Sequence, residues 1–174
     1  MDLLIGCGSN RDKRITTNRN YWENLVTLDN NLEHKPDVVH DLMQIPLPFA
    51  DNKFDEIHAY EVLEHTGQQG DYKFFFNQFS DFWRILKPDG LFCGSCPMPN
   101  STWAWGDPSH TRVIQKENFV FLSQPFYKEN VGATSASDFR YIYKADFDFV
   151  FMEEKDDGFR FVLRAIKPSR IDCG

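Results

Sequence analysis

Short apolar runs bounded by turn residues follow one another along the first half of the chain. They cover residues 2–5, 25–28, 37–40, 54–60 and 91–95. Each run is too short for a stable helix, and turn residues such as glycine, proline, asparagine or aspartate stand near its ends, which is typical of buried strands. The pattern therefore predicts five strands.

A longer segment has the spacing of a helix. Apolar side chains recur there at intervals of three and four, at Phe75, Phe79, Phe82 and Leu86. This spacing predicts a helix over residues 71–86 with one apolar face. A short helix is also expected near residues 116–122. Residues 11–23 carry no clear apolar stripe, so we expect a weak or missing helix between the first two strands.

The last third of the chain predicts a hairpin. Residues 146–154 and 159–166 are apolar runs joined by the turn sequence Asp156-Asp157-Gly158, and such runs around an Asp-Gly turn favour antiparallel pairing. Five strands followed by this hairpin indicate an α/β fold, in which a mostly parallel sheet ends in antiparallel strands. Residues 97–145 connect the two parts, and we expect this insertion to form the substrate side of a site.

Composition limits the alternatives. The length of 174 residues fits one domain, 1–174, with a core rich in its 17 phenylalanines. The net charge of −7 argues against nucleic acid as a partner, because an acidic surface repels phosphate backbones. No apolar run reaches the roughly 18 residues of a membrane span, and no basic-then-apolar leader precedes the first strand. We therefore expect a cytoplasmic protein without a membrane partner.

Cysteine usage agrees with a reducing compartment. Cys7, Cys93, Cys96 and Cys173 are too few and too scattered for a disulfide framework. Cys93 and Cys96 have C-x-x-C spacing, but side chains three residues apart on a strand point to opposite faces. We expect neither a zinc site nor a redox pair there.

Glycines and carboxylates mark the ends of the predicted strands. The first strand ends in Gly6-Cys7-Gly8, the second ends at Asp29, 21 residues after Gly8, and Asp41 follows the third. Glycine lets a ligand approach the backbone, and a carboxylate accepts hydrogen bonds from ribose hydroxyls. Because the carboxyl ends of parallel strands share one edge of a sheet, the series predicts an adenosine-type cofactor there.

Three adenosine-type cofactors compete for this pattern. A P-loop nucleotide requires G-x-x-x-x-G-K-[ST], which the sequence lacks. A dinucleotide favours a third glycine that packs a phosphate-facing helix, but Arg11 occupies that position and the helix is weak. S-adenosylmethionine has no phosphate and requires neither feature, so it fits best. A dinucleotide-dependent oxidoreductase stays an alternative.

An ordered series of motifs resembles the class I S-adenosylmethionine-dependent methyltransferases. It covers about residues 3–96, and its most specific step is Arg84-Ile85-Leu86-Lys87-Pro88-Asp89-Gly90. The earlier steps are Leu4-Ile5-Gly6-Cys7-Gly8-Ser9-Asn10, Thr27-Leu28-Asp29, Val38-Val39-His40-Asp41-Leu42, residues 45–57 and Glu61-Val62-Leu63-Glu64-His65. The resemblance implies a Rossmann-like, doubly wound sheet of seven strands with an antiparallel last strand, and S-adenosylmethionine as cofactor.

The resemblance also implies which residues hold that cofactor. Gly6, Cys7 and Gly8 would line its methionine tail, with Asn10 in the same loop. Asp29 would bind the ribose, and Asn30 would lie beside the adenine. Asp41 would bind adenine N6 with Leu42 on the ring, and Tyr60 and Glu61 would close the site after the fourth strand.

The segment from Trp103 to Arg112 is the candidate acceptor site. His110 is a candidate general base, because histidine titrates near neutral pH, and Asp107 could orient it. Arg112 could clamp an anionic group of the acceptor, and Trp103 or Trp105 could form an apolar wall. Alternatively, Asp107 and Arg112 pair to hold the loop around His110.

The resemblance places His65 near the transferable methyl group or the substrate. A metal cluster of His65, Asp107 and His110 is a further alternative, but we expect no metal. The predicted function is methyl transfer to a small-molecule or sugar-like acceptor, at oxygen because of the candidate base. A non-catalytic adaptor with the same fold is the remaining alternative.

A bound cofactor is expected to be shielded from solvent by some other part of the protein. Many relatives carry a helical segment ahead of the first strand that covers the cofactor, whereas this sequence opens at that strand. We therefore expect residues 97–145, or a second copy of the chain in a homo-oligomer, to supply the cover.

Overall fold

Seven strands form one mixed sheet in the residues that the computed structural model describes, 1–155 and 157–172. In chain order they are β1 (Asp2–Ile5), β2 (Val26–Asp29), β3 (Val38–Val39), β4 (Phe54–Tyr60), β5 (Leu86–Pro97), β6 (Phe147–Lys155) and β7 (Gly158–Ala165). Their spatial order is β3-β2-β1-β4-β5-β7-β6. The first five strands pair in parallel, and β7 pairs antiparallel with β5 and β6. The predicted α/β sheet with an antiparallel C-terminal hairpin is confirmed.

Two residues named in the sequence analysis, Asp156 of the hairpin turn and Cys173, lie outside the described residues. The strands beside that turn pair from Phe147 opposite Ala165 to Lys155 opposite Gly158. Every helix in the described ranges is too short or too polar to cross a lipid bilayer.

Three α-helices occur in the described residues: α1 (Tyr72–Ile85), α2 (Thr102–Gly106) and α3 (Gln124–Asn130). Helix α1 confirms the prediction for residues 71–86. Its N-cap is Asp71, whose side chain accepts a hydrogen bond from the Phe74 amide at 3.0 Å. The short helix expected near residues 116–122 is a 3-10 helix, and the sequence pattern does not predict α2 or α3.

The buried face of α1 differs from the predicted stripe in two positions. Four of its apolar side chains are buried: Phe76, Phe79, Phe82 and Ile85. Phe75 is only partly buried and Leu86 begins β5. Because three phenylalanines stand side by side at 74–76, the interval pattern locates the face only to within one residue. Each phenylalanine buried in this core contributes about 1.5–3 kcal/mol.

Strand β5 is longer than predicted because the expected turn lies inside it. Pro88-Asp89-Gly90 predicts a turn before residues 91–95, yet Leu86 pairs with Phe54 and Leu91 pairs with Glu56. The pairing register shifts between these two pairs, and Asp89 has a φ of +60°. The three residues therefore form an irregularity within β5 that leaves the sheet continuous.

The sheet has one thick face and one thin face. The main core packs on the thick face beneath α1 and is rich in phenylalanine. Residues 11–23 form no helix, as predicted, and with residues up to 25 they cover the thin face. Cys93 belongs to the thin-face cluster and Cys96 to the main core, so the two side chains point to opposite faces as predicted.

A buried row of polar side chains on β4 lies under residues 11–23. Glu56, His58 and Tyr60 alternate along the strand and therefore share one face. His58 Nε2 lies 2.8 Å from the Glu56 carboxylate, and His58 Nδ1 lies 2.6 Å from the Tyr60 hydroxyl. Because a carboxylate only accepts, a neutral His58 donates from Nε2 and accepts the Tyr60 proton at Nδ1.

Residues 11–23 attach to this row through side chains and amides. Lys13 Nζ lies 2.7 Å from Glu56, and the Thr17 hydroxyl donates to Glu56 at 2.5 Å. The Tyr60 hydroxyl accepts from the amides of Arg14 and Ile15 at 3.1 and 3.2 Å. The irregular segment is thus held by buried hydrogen bonds in place of helical ones.

Glu56 is expected to make the fold sensitive to acid. Burial alone would raise its pKa, but hydrogen bonds from His58, Lys13 and Thr17 outweigh burial and lower the pKa to about 2. A depressed carboxylate pKa stabilises the fold above the ordinary value of 4.5, and this stabilisation is lost as the pH falls toward 2. In urea titrations across this window, the free energy of unfolding should fall by up to about 1.4 kcal/mol per pH unit for this proton.

The variant Glu56→Gln isolates this contribution. It should be less stable than the wild type near neutral pH, and the difference should shrink as the pH approaches about 2. Asp51→Asn is the matched control, because Asp51 is an exposed carboxylate that pairs with Arg84 at 2.8 Å. A Glu56→Gln difference that stays constant with pH would contradict the assignment.

Candidate functional site

A cleft of about 520 Å³ opens where β1, β2 and β4 end. Parallel strands deliver their following loops to one edge of the sheet, which is why residues far apart in sequence meet here. Six of the predicted cofactor residues line the cleft: Gly6, Asp29, Asn30, Asp41, Leu42 and Glu61.

Gly6 forms the floor of the cleft in a left-handed conformation, with a φ of +57°. A Cβ at this position would lie 2.5 Å from Cγ2 of Val62, a separation that forces one of the two to move. Val62 follows β4, so the missing side chain lets the ends of β1 and β4 approach each other. Both the backbone angle and the available space therefore require glycine.

Asp29 connects the end of β2 to the loop after β1. Its Oδ2 accepts the Gly8 amide at 2.9 Å, and its Oδ1 accepts the Asn31 amide at 2.8 Å. An ionised carboxylate has about four acceptor positions, so both oxygens keep capacity for the hydroxyls of a ligand. Asp29 thus shapes the cleft and also lines it.

The loop after β3 forms a second wall. Asp41 accepts the Met43 amide through Oδ1 at 2.9 Å, and Leu42 is buried beside it. Asn30 is exposed at the rim. A polar acceptor next to an apolar side chain suits a flat ring that carries hydrogen-bond donors on its edge.

Glu61 follows β4 in a strained conformation. Its φ of +56° is rare for a residue with a side chain and costs on the order of 1–2 kcal/mol. Two hydrogen bonds to Ser95 hold it there. The Glu61 amide donates to the Ser95 carbonyl at 3.0 Å, and the Ser95 hydroxyl donates to Glu61 Oε1 at 2.6 Å. Strain that the surroundings impose in this way is frequent at ligand sites.

Four other predicted cofactor residues lie beside the cleft. Gly8 and Asn10 belong to the loop after β1, where Gly8 is half-buried and Asn10 is exposed. Cys7 is buried in the thin-face cluster, and burial raises the pKa of its thiol. The Tyr60 hydroxyl lies on the thin face against His58, whereas the resemblance placed Tyr60 where it closes the site after the fourth strand. Contact of Cys7, Gly8, Asn10 and Tyr60 with a cofactor stays a prediction.

Two histidines meet at one edge of the cleft. The rings of His65 and His110 pack edge to face with centroids 4.6 Å apart. His65 Nδ1 lies 3.1 Å from the Ser109 hydroxyl, which lies 2.5 Å from Asp107 Oδ1. His110 Nδ1 lies 3.4 Å from the Ala104 carbonyl, and its Nε2 lies 3.8 Å from Asp107. The structure therefore brings the three predicted catalytic residues together.

Asp107 supplies a negative charge to this edge. Hydrogen bonds from the hydroxyl and the amide of Ser109 lower the pKa of Asp107. The carboxylate therefore stays ionised at neutral pH beside both imidazole rings.

Glu64 is close to this pair of rings and is 1% exposed. Among the described residues, neither of its carboxylate oxygens has a hydrogen-bond partner. Burial, reinforced by the nearby charge of Glu61, raises the pKa of Glu64 to about 8. One donor atom each from Glu64, His65 and His110 lies within 4.8 Å of the other two. Glu64 takes the place in this cluster that Asp107 has in the metal alternative with His65 and His110.

Arg112 is not among the residues that line the cleft. It is buried, and it donates to the Leu63 carbonyl at 2.9 Å, to the Thr66 hydroxyl at 2.9 Å and to Gln78 Oε1 at 2.7 Å. Burial lowers its pKa to about 10. The guanidinium therefore ties residues 63–66 to α1, which corrects the predicted anion clamp. Asp107, which the alternative paired with Arg112, accepts a hydrogen bond from the Ser109 hydroxyl instead.

Trp103 and Trp105 are exposed on α2. Trp103 lines a second pocket, of about 280 Å³, which shares Glu61 with the cleft. Trp105 donates its indole N–H to the Pro99 carbonyl at 2.9 Å. Contact with an acceptor stays a prediction for both, and Trp103 is the better placed.

Several residues of the cleft were not predicted as site residues. They are His34, His40, Met43, Val62, Thr66 and Ser109. His40 directly precedes Asp41 and Val62 directly follows Glu61, so for these two the neighbouring predicted residue was a usable signal. The others reach the cleft through turns whose course the sequence pattern does not fix.

Comparison with known proteins identifies the fold and the family. The model of a family described as a methyltransferase domain matches residues 3–94. A comparison with curated proteins gave no match. Among solved structures, an S-adenosylmethionine-dependent methyltransferase from Archaeoglobus fulgidus is 13% identical, with a TM-score of 0.55 over 94% of this chain and 85% of that one.

Two further structures are similar. A methyltransferase of the same description from Methanosarcina mazei is 14% identical, with a TM-score of 0.55 over 95% of this chain and 92% of that one. The N-methyltransferase NodS from Bradyrhizobium japonicum, in complex with S-adenosyl-L-homocysteine, is 16% identical, with a TM-score of 0.57 over 94% and 76%.

These likenesses agree with the geometry of the cleft. A dinucleotide would need a helix N-terminus facing its pyrophosphate, and residues 11–23 supply none. The family model spans more than half of the chain. The chain therefore belongs to the methyltransferase domain family and is a class I S-adenosylmethionine-dependent methyltransferase.

Proposed function

We propose that this enzyme methylates a hydroxyl oxygen of a small-molecule or sugar-like acceptor. The observation that carries the proposal is the position of His65 and His110 at the edge of the cleft, beside the ionised Asp107. A hydroxyl must lose its proton as it reacts, and a positioned imidazole can take it. A neutral amine needs no such group.

The cleft has the size and chemistry that S-adenosylmethionine requires. Its volume of about 520 Å³ falls within the range of roughly 300–1,000 Å³ for small-molecule sites. Gly6 leaves the floor free of side chain, Asp29 offers carboxylate oxygens for the ribose, and Asp41 with Leu42 offers an acceptor and an apolar surface for adenine. When bound, the cofactor supplies a methyl group on a positively charged sulfur.

The second pocket suits a small acceptor. It holds about 280 Å³, adjoins the cleft at Glu61 and is partly walled by Trp103. Three basic side chains also line it, Arg14, Lys155 and Arg160, together with two acidic ones, Glu61 and Asp157. A compound that carries a carboxylate or phosphate beside its hydroxyl would match the net positive charge that remains.

The role of the protein is chiefly alignment, because the sulfonium is already a good leaving group. Holding the acceptor oxygen in line with the methyl group supplies most of the rate. Ser109 and Asp107 fix the orientation of His65, and the Ala104 carbonyl fixes that of His110. We assign the removal of the acceptor's proton to the two histidines at this edge of the cleft.

Asp29→Ala should weaken the binding of S-adenosylmethionine. Removing hydrogen bonds between a charged carboxylate and two ribose hydroxyls costs roughly 1.5–3 kcal/mol, which corresponds to roughly a 10- to 100-fold higher Kd. Calorimetry with S-adenosylmethionine and S-adenosylhomocysteine measures the change. Asp51→Ala, at an exposed site, is the matched control and should bind as the wild type does.

Acceptor chemistry is tested by transfer of a labelled methyl group. Panels of hydroxyl compounds and amines with the same carbon skeletons, with and without an anionic group, should show label on the hydroxyl compounds. Anionic members should react best because of the basic lining of the second pocket. Label that accumulates only on amines would overturn the assignment of oxygen.

His110→Ala should separate cofactor binding from turnover. Loss of a positioned acid–base group typically lowers the rate by 10²- to 10⁴-fold, so kcat should fall by about 100-fold or more. The Kd for S-adenosylmethionine should stay within about twofold of the wild type. Thr102→Ala, in the same exposed segment, is the control. Equal losses in cofactor affinity and turnover would contradict a role at the acceptor.

A further inference from the structure

We propose that Glu64, His65 and His110 form a binding site for a divalent transition-metal ion at the edge of the cleft. One donor atom from each side chain lies within 4.8 Å of the other two. Ligand atoms around a bound ion stand roughly 3–3.5 Å apart for metal–ligand distances near 2.1 Å. His65 is exposed, so a rotation of its ring can close the remaining gap.

The hydrogen bonds of both rings leave the correct nitrogen free for a metal. The Ala104 carbonyl can only accept, so His110 carries its proton on Nδ1. The Ser109 hydroxyl donates to Asp107 and therefore accepts from His65 Nδ1. The 3.8 Å between His110 Nε2 and the Asp107 carboxylate is too long for a hydrogen bond that would hold a proton on Nε2, so both rings present an Nε2 lone pair. An imidazole whose other nitrogen donates to a carbonyl or to a hydroxyl–carboxylate chain is the usual form of a metal-binding histidine.

Glu64 is the observation that points independently to a ligand. Its carboxyl group is 1% exposed, and neither oxygen makes a hydrogen bond of normal distance and angle in the described part of the chain, although the Cys96 thiol and the Glu61 carboxylate lie near it. A buried polar group without a partner is rare in folded proteins and usually indicates an ion or water at that place. A cation coordinated by Glu64 would satisfy these oxygens.

The surrounding charges also favour a cation. The Asp107 carboxylate lies 3.8 Å from His110 Nε2 and reaches His65 through the Ser109 hydroxyl. The Arg112 guanidinium directs its hydrogen bonds to Leu63, Thr66 and Gln78 instead of to Glu64. A carboxylate beside the three donor side chains favours a cation at this place.

Two imidazoles and one carboxylate select the class of metal. This donor set suits Zn²⁺, Fe²⁺ or Co²⁺ better than Mg²⁺ or Ca²⁺, which favour oxygen ligands. Three protein ligands leave at least one position open, as in catalytic zinc sites.

The open position would take an oxygen of the acceptor. A hydroxyl bound to a divalent ion loses its proton more easily to water at this exposed edge, because the ion stabilises the alkoxide. In this arrangement the two Nε2 lone pairs hold the ion, and the ion promotes the proton loss that was assigned above to the imidazoles. This consequence rests on the proposed function, whereas binding of the ion does not.

The test uses Co²⁺ as the probe on the full-length protein, after treatment with a chelator and without cofactor or acceptor. Visible absorption of Co²⁺ should report one site per chain, and Zn²⁺ should displace the signal. Glu64→Gln and His65→Ala should each raise the Kd for Co²⁺ by about tenfold or more. Zn²⁺ should raise the Tm of the wild type, because it binds the folded state, and should raise that of Glu64→Gln less.

Glu129→Gln, an exposed carboxylate on α3, is the matched control and should bind Co²⁺ as the wild type does. His65→Ala keeps the proposal testable if Glu64→Gln does not fold, because His65 is on the surface. No Co²⁺ signal in the wild type, or equal affinity in the variants, would overturn the site. Metal binding without transfer of label to any hydroxyl compound would support the site and remove the proposed acceptor chemistry.

Discussion

The cleft of this protein depends on the close approach of β1 and β4 at Gly6. Val62 occupies the space that a side chain on residue 6 would need. With the two strand ends in contact, the loop after β1 passes over the floor and meets Asp29, which holds the amide of Gly8. Glu61 is then held beside Val62 in its left-handed conformation by Ser95 of β5. One contact between two strands therefore helps to place Gly8, Asp29 and Glu61 around the cleft.

The thin face of the sheet shows how a parallel sheet can be covered without a helix. Both faces of a parallel sheet must be buried, and an irregular segment buries amides that need partners. The row Glu56, His58 and Tyr60 supplies those partners from β4, and Lys13 balances the charge of Glu56. The buried side chains of Glu56, His58 and Tyr60 are each hydrogen-bonded, which makes the cover specific as well as stable.

The edge of the cleft has a different electrostatic character from its floor. At the floor, polar atoms are backbone amides and the carboxylate of Asp29, which pair with one another. At the edge, two imidazoles lie near the carboxylate of Asp107 and near the buried carboxyl group of Glu64. Titratable groups that are gathered in one place are suited to handling a proton or a cation.

Local sequence patterns predicted the strands, helix α1, the C-terminal hairpin and the edge of the sheet at which the cleft lies. These follow from local runs of apolar residues and from the rule that parallel strands end at one edge, which holds whatever the details of packing. The same rule placed Gly6, Asp29, Asp41 and Glu61 around one cleft.

The tertiary structure alone decided which way individual side chains turn. Arg112 bonds to Gln78, 34 residues away, and is buried where a surface clamp was predicted. Tyr60 points to the thin face because residues 11–23 offer it two amides. Glu64 lies beside His110 without a hydrogen-bond partner in the described residues. Each outcome depends on a partner that is distant in sequence, and a local pattern carries no information about such partners.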